Sequence, residues 1–154
     1  MTALRTKSLV LSVVLTIFAV QGAAQAKNSG VEANLWKDEP SRLRITVRSL
    51  AAAPATINKS ELPWELRHSI ILMAVTPAGD SLPQNVVAGD PGLQKVTLKP
   101  GQSVSGDIDL KMVFKDLDGA RRKSDVLLFW AYRSPSGLNL PKWSGGWILI
   151  PRMQ

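Results

Sequence analysis

From residue 42 the chain reads RLRITVRS, where Leu43, Ile45 and Val47 alternate with Arg44, Thr46 and Arg48. Successive side chains of a strand point to opposite faces, so this spacing predicts a strand that is apolar on one side and wet on the other. VEANLW, just before it, puts Val31, Ala33 and Leu35 on one face in the same way. SIILMAV, 69–75, is a continuous apolar run ending at the turn TPAGDS, with His68 at its start. VTL, 96–98, meets Pro100-Gly101, a strong turn pair. SVSGDIDLKMVF then resumes alternation through Ile108, Leu110 and Met112. DVLLFWAYRS, 125–134, is apolar at both parities and predicts a central strand, with Trp130 in the core. WILI predicts the last strand, stopped by Pro151. The stretch 51–66 reads as a crossover loop holding a short strand at Thr56-Ile57.

No segment after Lys27 shows a long capped helical period. Short strands separated by turn signals predict an all-β, antiparallel sandwich of about seven strands. Ten prolines punctuate the loops. There is no internal repeat, no low-complexity tract and no linker, so residues 27–154 are expected to form a single β-sandwich domain.

The beginning of the chain follows a different pattern. Arg5 and Lys7 precede an apolar stretch, 9–20, and Ala24 and Ala26 then form a small-x-small pair before Lys27. A basic region, a short apolar stretch and such a site predict a secretory signal peptide over 1–26, cleaved after Ala26. The stretch is shorter than the roughly 20 apolar residues that a spanning helix needs. The alternative is an uncleaved anchoring helix, the only way this sequence would touch a membrane. The expected compartment is a bacterial periplasm or the exterior.

Cysteine is absent, which excludes disulfides, thiol catalysis and thiolate metal sites. The net charge is +7, and loss of Arg5 and Lys7 with the leader leaves about +5. That balance favours an acidic partner. Nucleic acid is not expected as a target outside the cytoplasm. Arg121-Arg122-Lys123 is the densest basic run. It reads either as a partner contact or as a solvated turn.

Catalytic material is sparse. His68 is the single histidine, no G-x-S-x-G elbow occurs, and a multi-histidine metal site is impossible. Asp107 and Asp109 share one strand face, so they read as solvated acids or, alternatively, as ligands for a hard cation such as calcium. Asp118-Gly119 reads as a tight turn. No enzyme activity, cofactor or metal is therefore expected.

The five tryptophans divide. In KWSGGW, 142–147, Trp147 shares parity with Leu149 and is expected in the core, while Trp143, Gly145 and Gly146 are expected to form a recognition loop. The alternative for Trp143 is a lid over the end of the core. Trp64, after Pro63, is the other candidate for an accessible ring.

LKPGQSVSGDIDL followed by DVLLFWAY resembles a secreted immunoglobulin-like β-sandwich domain, without the paired cysteines of antibody-type members. The secreted sandwich of chagasin-like protease inhibitors is similar in architecture. These resemblances imply an immunoglobulin-like fold and leave function open. The expected function is a non-enzymatic protein-binding domain, such as an inhibitor or immunity protein against an envelope hydrolase or toxin. Its contacts would come from loops such as 134–146, with Trp64, Arg121, Arg122, Trp143, Gly145 and Gly146 as candidate binding residues. A carbohydrate or peptidoglycan-binding module and an accessory component of a surface assembly are the alternatives. The first needs exposed rings and the second an open strand edge.

Overall fold

The computed structural model describes residues 29–66, 69–85 and 94–154. The expected leader, 1–26, and His68 lie outside the described residues.

Among the described residues, eight strands form three antiparallel sheets, an all-β sandwich. They are β1 (Val31–Leu35), β2 (Arg42–Arg48), β3 (Ala55–Asn58), β4 (Ile70–Val75), β5 (Lys95–Leu98), β6 (Ser103–Asp109), β7 (Val126–Arg133) and β8 (Trp143–Ile150). The sheet orders are β1-β2-β6, β3-β5 and β4-β7-β8. β7 is central in its sheet, and β3 contains Thr56 and Ile57, both as the sequence pattern predicts.

Alternation decides what each strand buries. Val31, Ala33, Leu43, Ile45, Val47 and Ile108 point inward from one sheet. Ile70, Leu72, Ala74, Val126, Leu128, Trp130, Tyr132 and Ile150 point inward from the other, and all belong to one apolar core. Tyr132 is fully buried, and its hydroxyl donates to the Glu61 carbonyl at 3.1 Å. Burial, with a smaller contribution from Glu61, pushes its ionisation above the ordinary phenol range.

Two sequence expectations fail between β6 and β7. Alternation does not continue through Leu110 and Met112. Asp109 instead accepts a bond from the Lys111 amide at 2.9 Å and caps a short helix, α1 (Leu110–Val113). One turn of helix buries Leu110 and Val113 together and leaves Met112 in solvent. Asp118-Gly119 is likewise no isolated turn but part of a second helix, α2 (Leu117–Lys123). Asp116, in the left-handed region at φ 54°, starts it, and its carboxylate folds over Gly119 so closely that any Cβ there would collide with it. Leu117 and Arg121, four apart, form the helix's buried side.

Candidate functional site

The outer faces of the two larger sheets differ sharply in chemistry. On β1-β2-β6 the outward positions are Glu32, Asn34, Arg42, Arg44, Thr46, Arg48, Ser103, Ser105, Asp107 and Asp109. Two pairs of them join β2 to β6. Arg44 stands opposite Asp107 and donates to its two carboxylate oxygens at 2.9 and 3.2 Å. The Trp36 indole donates to the same carboxylate at 2.9 Å, and the Arg44 guanidinium lies 4.4 Å from the centre of the Trp36 ring. Thr46 and Ser105 share a bond at 2.8 Å. The Arg44 bond, and secondarily the Trp36 bond, hold the Asp107 carboxyl below the usual carboxylate range. With Asp107 bound by Arg44 and Asp109 capping α1, the two acids do not converge on a common point.

The β4-β7-β8 sheet has no such network outside. Its outward positions form rows across the three strands: Val75–Leu127–Leu149, Met73–Phe129–Trp147 and Ile71–Ala131–Gly145, with Arg133 opposite Trp143 at the end. Ile71, Met73, Phe129, Trp143, Trp147 and Leu149 are all exposed. Arg133 is the single charged side chain among these strand positions. Six large apolar groups, each about half exposed, present roughly 600 Å² of apolar surface, the upper end of what monomers show.

This arrangement corrects the reading of KWSGGW. Trp147 is not in the core; it is 46% exposed. The physical reason is strand length. β8 begins at Trp143, so WSGGWILI is one eight-residue strand rather than a loop followed by WILI. Trp143, Gly145, Trp147 and Leu149 share its outer face, while Ser144, Ile148 and Ile150 turn inward. Trp147 and Leu149 do share a parity, but that parity faces solvent. Trp143 is accessible as expected, at 48%.

Gly145 and Gly146 therefore lie in a ladder and not in a loop. Gly145 has a packing reason, whereas a side chain at Gly146 would make only ordinary contact. A Cβ on Gly145 would come within 2.7 Å of the Trp130 carbonyl oxygen, and one on Gly146 would meet the Trp130 ring at 3.5 Å. Gly146 stands opposite Trp130 in the register.

The remaining candidates separate. Trp64 is half-buried rather than an open platform. It sits in a 3-10 turn (Pro63–Glu65) with its ring against Gly106 of β6, where any Cβ would collide with it. Arg121 is 6% exposed, and its Nε donates to the Pro151 carbonyl at 3.0 Å. Its guanidinium lies 3.7 Å from Asp118, which also pairs with Lys111 at 3.2 Å. Arg121 thus ties the end of β8 to α2, while Arg122 stays exposed. The segment 134–146 is anchored as well. Leu138 is buried and its carbonyl accepts from the Leu50 amide at 3.0 Å. The structure does not bring these six residues together; Trp143 and Gly145 alone lie on the apolar face.

Sequence reasoning missed Ile71, Met73, Phe129, Trp147 and Leu149 as a surface. The signal was there: β4 and β7 are apolar at both parities. That pattern fits a strand covered on both sides as well as one with an uncovered apolar face. The chain matches no protein-family model and no curated protein.

Proposed function

We propose that this chain is an exported, non-enzymatic protein-binding domain of immunoglobulin-like form, and that the outer face of β4-β7-β8 is its docking surface. One observation carries the reading. Within one sandwich, one outer face is fully polar and joined across β2 and β6 by Arg44–Asp107 and Thr46–Ser105, while the other shows six large apolar side chains and one cation. A contiguous patch of that size on one face is characteristic of a surface that another molecule covers. Exposed Trp, Phe and Met are the residue types enriched at protein interfaces. Pairing of the first, second and sixth strands in one sheet, and of the fourth, seventh and eighth in the other, supports the immunoglobulin-like assignment.

A glycan is the weaker occupant. Trp143 and Trp147 share a face and suit stacking on sugar rings, but sugar hydroxyls also need hydrogen-bonding groups. Met73, Ile71 and Leu149 supply none.

The test is affinity capture from envelope extract with wild type, Phe129→Lys and Thr46→Lys, followed by titration of the captured protein. Phe129→Lys is expected to weaken binding by about thirty-fold or more, and Thr46→Lys to leave it unchanged. A partner held equally by Phe129→Lys would remove the docking face from the account. Export is tested separately by intact mass, with an amino terminus at Lys27 expected.

A further inference from the structure

The backbone of β8 raises a question independent of what covers the apolar face. Ser134 N–H donates to the Lys142 carbonyl at 3.1 Å, in line with the β7–β8 register. Antiparallel ladders alternate bonded and non-bonded pairs. The even-numbered residues of β8 therefore bond to β7, and Trp143, Gly145, Trp147 and Leu149 direct their N–H and C=O groups to the other side. Among the described residues no strand forms a ladder there; β1 comes close to β8, but its ladder is with β2.

The opposite edge of the same sheet is closed. There the Leu82 amide donates to the Ala74 carbonyl at 2.9 Å, and the Gln84 side chain donates to the Leu72 carbonyl. Natural edges are usually blunted by brevity, charge, proline or a bulge. β1 is short and carries Glu32, and β6 carries Asp107 and Asp109. β8 has none of these devices: eight residues, WSGGWILI, without charge or proline.

We propose that β8 pairs antiparallel with β8 of a second copy of this chain, about a two-fold axis at Gly146. The strand is complementary to its own reverse. With Gly146 on the axis, Trp147 faces the second copy's Gly145, and Trp143 faces the second copy's Leu149. Each large ring meets a small or aliphatic neighbour on the outer face. Gly145 must stay a glycine because of the Trp130 carbonyl, which preserves the gap for the ring. Shifting the register by two residues either way sets Trp147 against Trp147 or leaves glycine facing glycine. Charge permits the seam as well: a chain of net charge +7 repels its copies, yet the whole contact strand is neutral. The product is a six-stranded sheet that joins two apolar outer faces side by side. This goes beyond the docking reading, since the seam forms whether or not another protein covers those faces.

Two measurements test it on the protein as purified from cells. Sedimentation at micromolar concentrations is expected to give twice the chain mass. Leu149→Pro, which removes one outward N–H and leaves the β7 ladder intact, is expected to give a single chain mass with an unchanged strand spectrum. The chain has no cysteine, so Gly146→Cys introduces a single thiol at the axis. Oxidation is expected to convert it to a linked dimer, while Ser105→Cys, on the opposite sheet, stays unlinked. A monomeric wild type, a dimer that survives Leu149→Pro in folded protein, or linking of Ser105→Cys in preference to Gly146→Cys would each overturn the proposal. So would a complex held through β8 by a strand from a different protein.

Discussion

Trp147 stands directly opposite Phe129 in the β7–β8 register, and both rings are exposed on the outside of the sandwich. One step along, Gly146 faces Trp130, and that indole is 5% exposed. Adjacent cross-strand pairs thus put one tryptophan into solvent and another into the core. Trp130→Ala is expected to cost about 3–5 kcal/mol of stability, the usual loss for a buried aromatic. Trp147→Ala should cost less than about 1 kcal/mol. Denaturant unfolding of both variants checks the order, and equal losses would mean that the Trp147 ring is covered, within the chain or by a second copy.

Arg121 and Arg122 adjoin in sequence and differ in role. Arg121→Ala removes a buried donor to the Pro151 carbonyl and leaves Asp118 with less compensation. About 1–3 kcal/mol of stability should go with it. Arg122→Ala, at an exposed position, should stay within about 0.5 kcal/mol. Thermal or chemical denaturation distinguishes them, and the reverse order would contradict the placement of Arg121 beneath the chain end.

The Asp107 carboxyl is held below its ordinary range by Arg44 and Trp36. Its folded ionisation lies lower than its unfolded one, which is about pH 4. Its contribution to stability is therefore complete above that pH and is lost as the pH falls through the folded value. Wild type should melt slightly above Asp107→Asn at neutral pH, with the gap closing below about pH 4. Because the pair is solvent-exposed, salt should narrow the gap too. A gap that widens in acid would reverse the assigned sign.

Where one face is apolar and the other polar, the pattern alone locates the core. β1 and β2 are legible for that reason, down to the burial of Leu43, Ile45 and Val47. In β4 and β7 both parities are apolar, and periodicity cannot say which one meets the core or whether the second is covered. The β8 boundary was hidden by Gly145-Gly146, residues that usually mark turns. Here Gly145 is required by the Trp130 carbonyl, a neighbour brought in from the strand opposite. α1 and α2 are too short to display a helical period, and their starts depend on a cap at Asp109 and on the close packing of Asp116 against Gly119. The polar cluster of Trp36, Arg44 and Asp107 joins residues far apart in sequence, so only the β2–β6 register makes it visible.

The docking role of the apolar face can be tested most directly by site-specific photocrosslinking in cells that produce the protein. A photoreactive residue at Phe129 reports from the middle of the β4-β7-β8 face, away from the β8 seam. One at Ser105 reports from the polar face of the opposite sheet. The expected result is a discrete adduct between Phe129-labelled chain and a second, different protein, with no such adduct from Ser105. Adducts of equal yield from both positions, or none from Phe129 while Ser105 gives one, would contradict the assignment of the docking surface to this face.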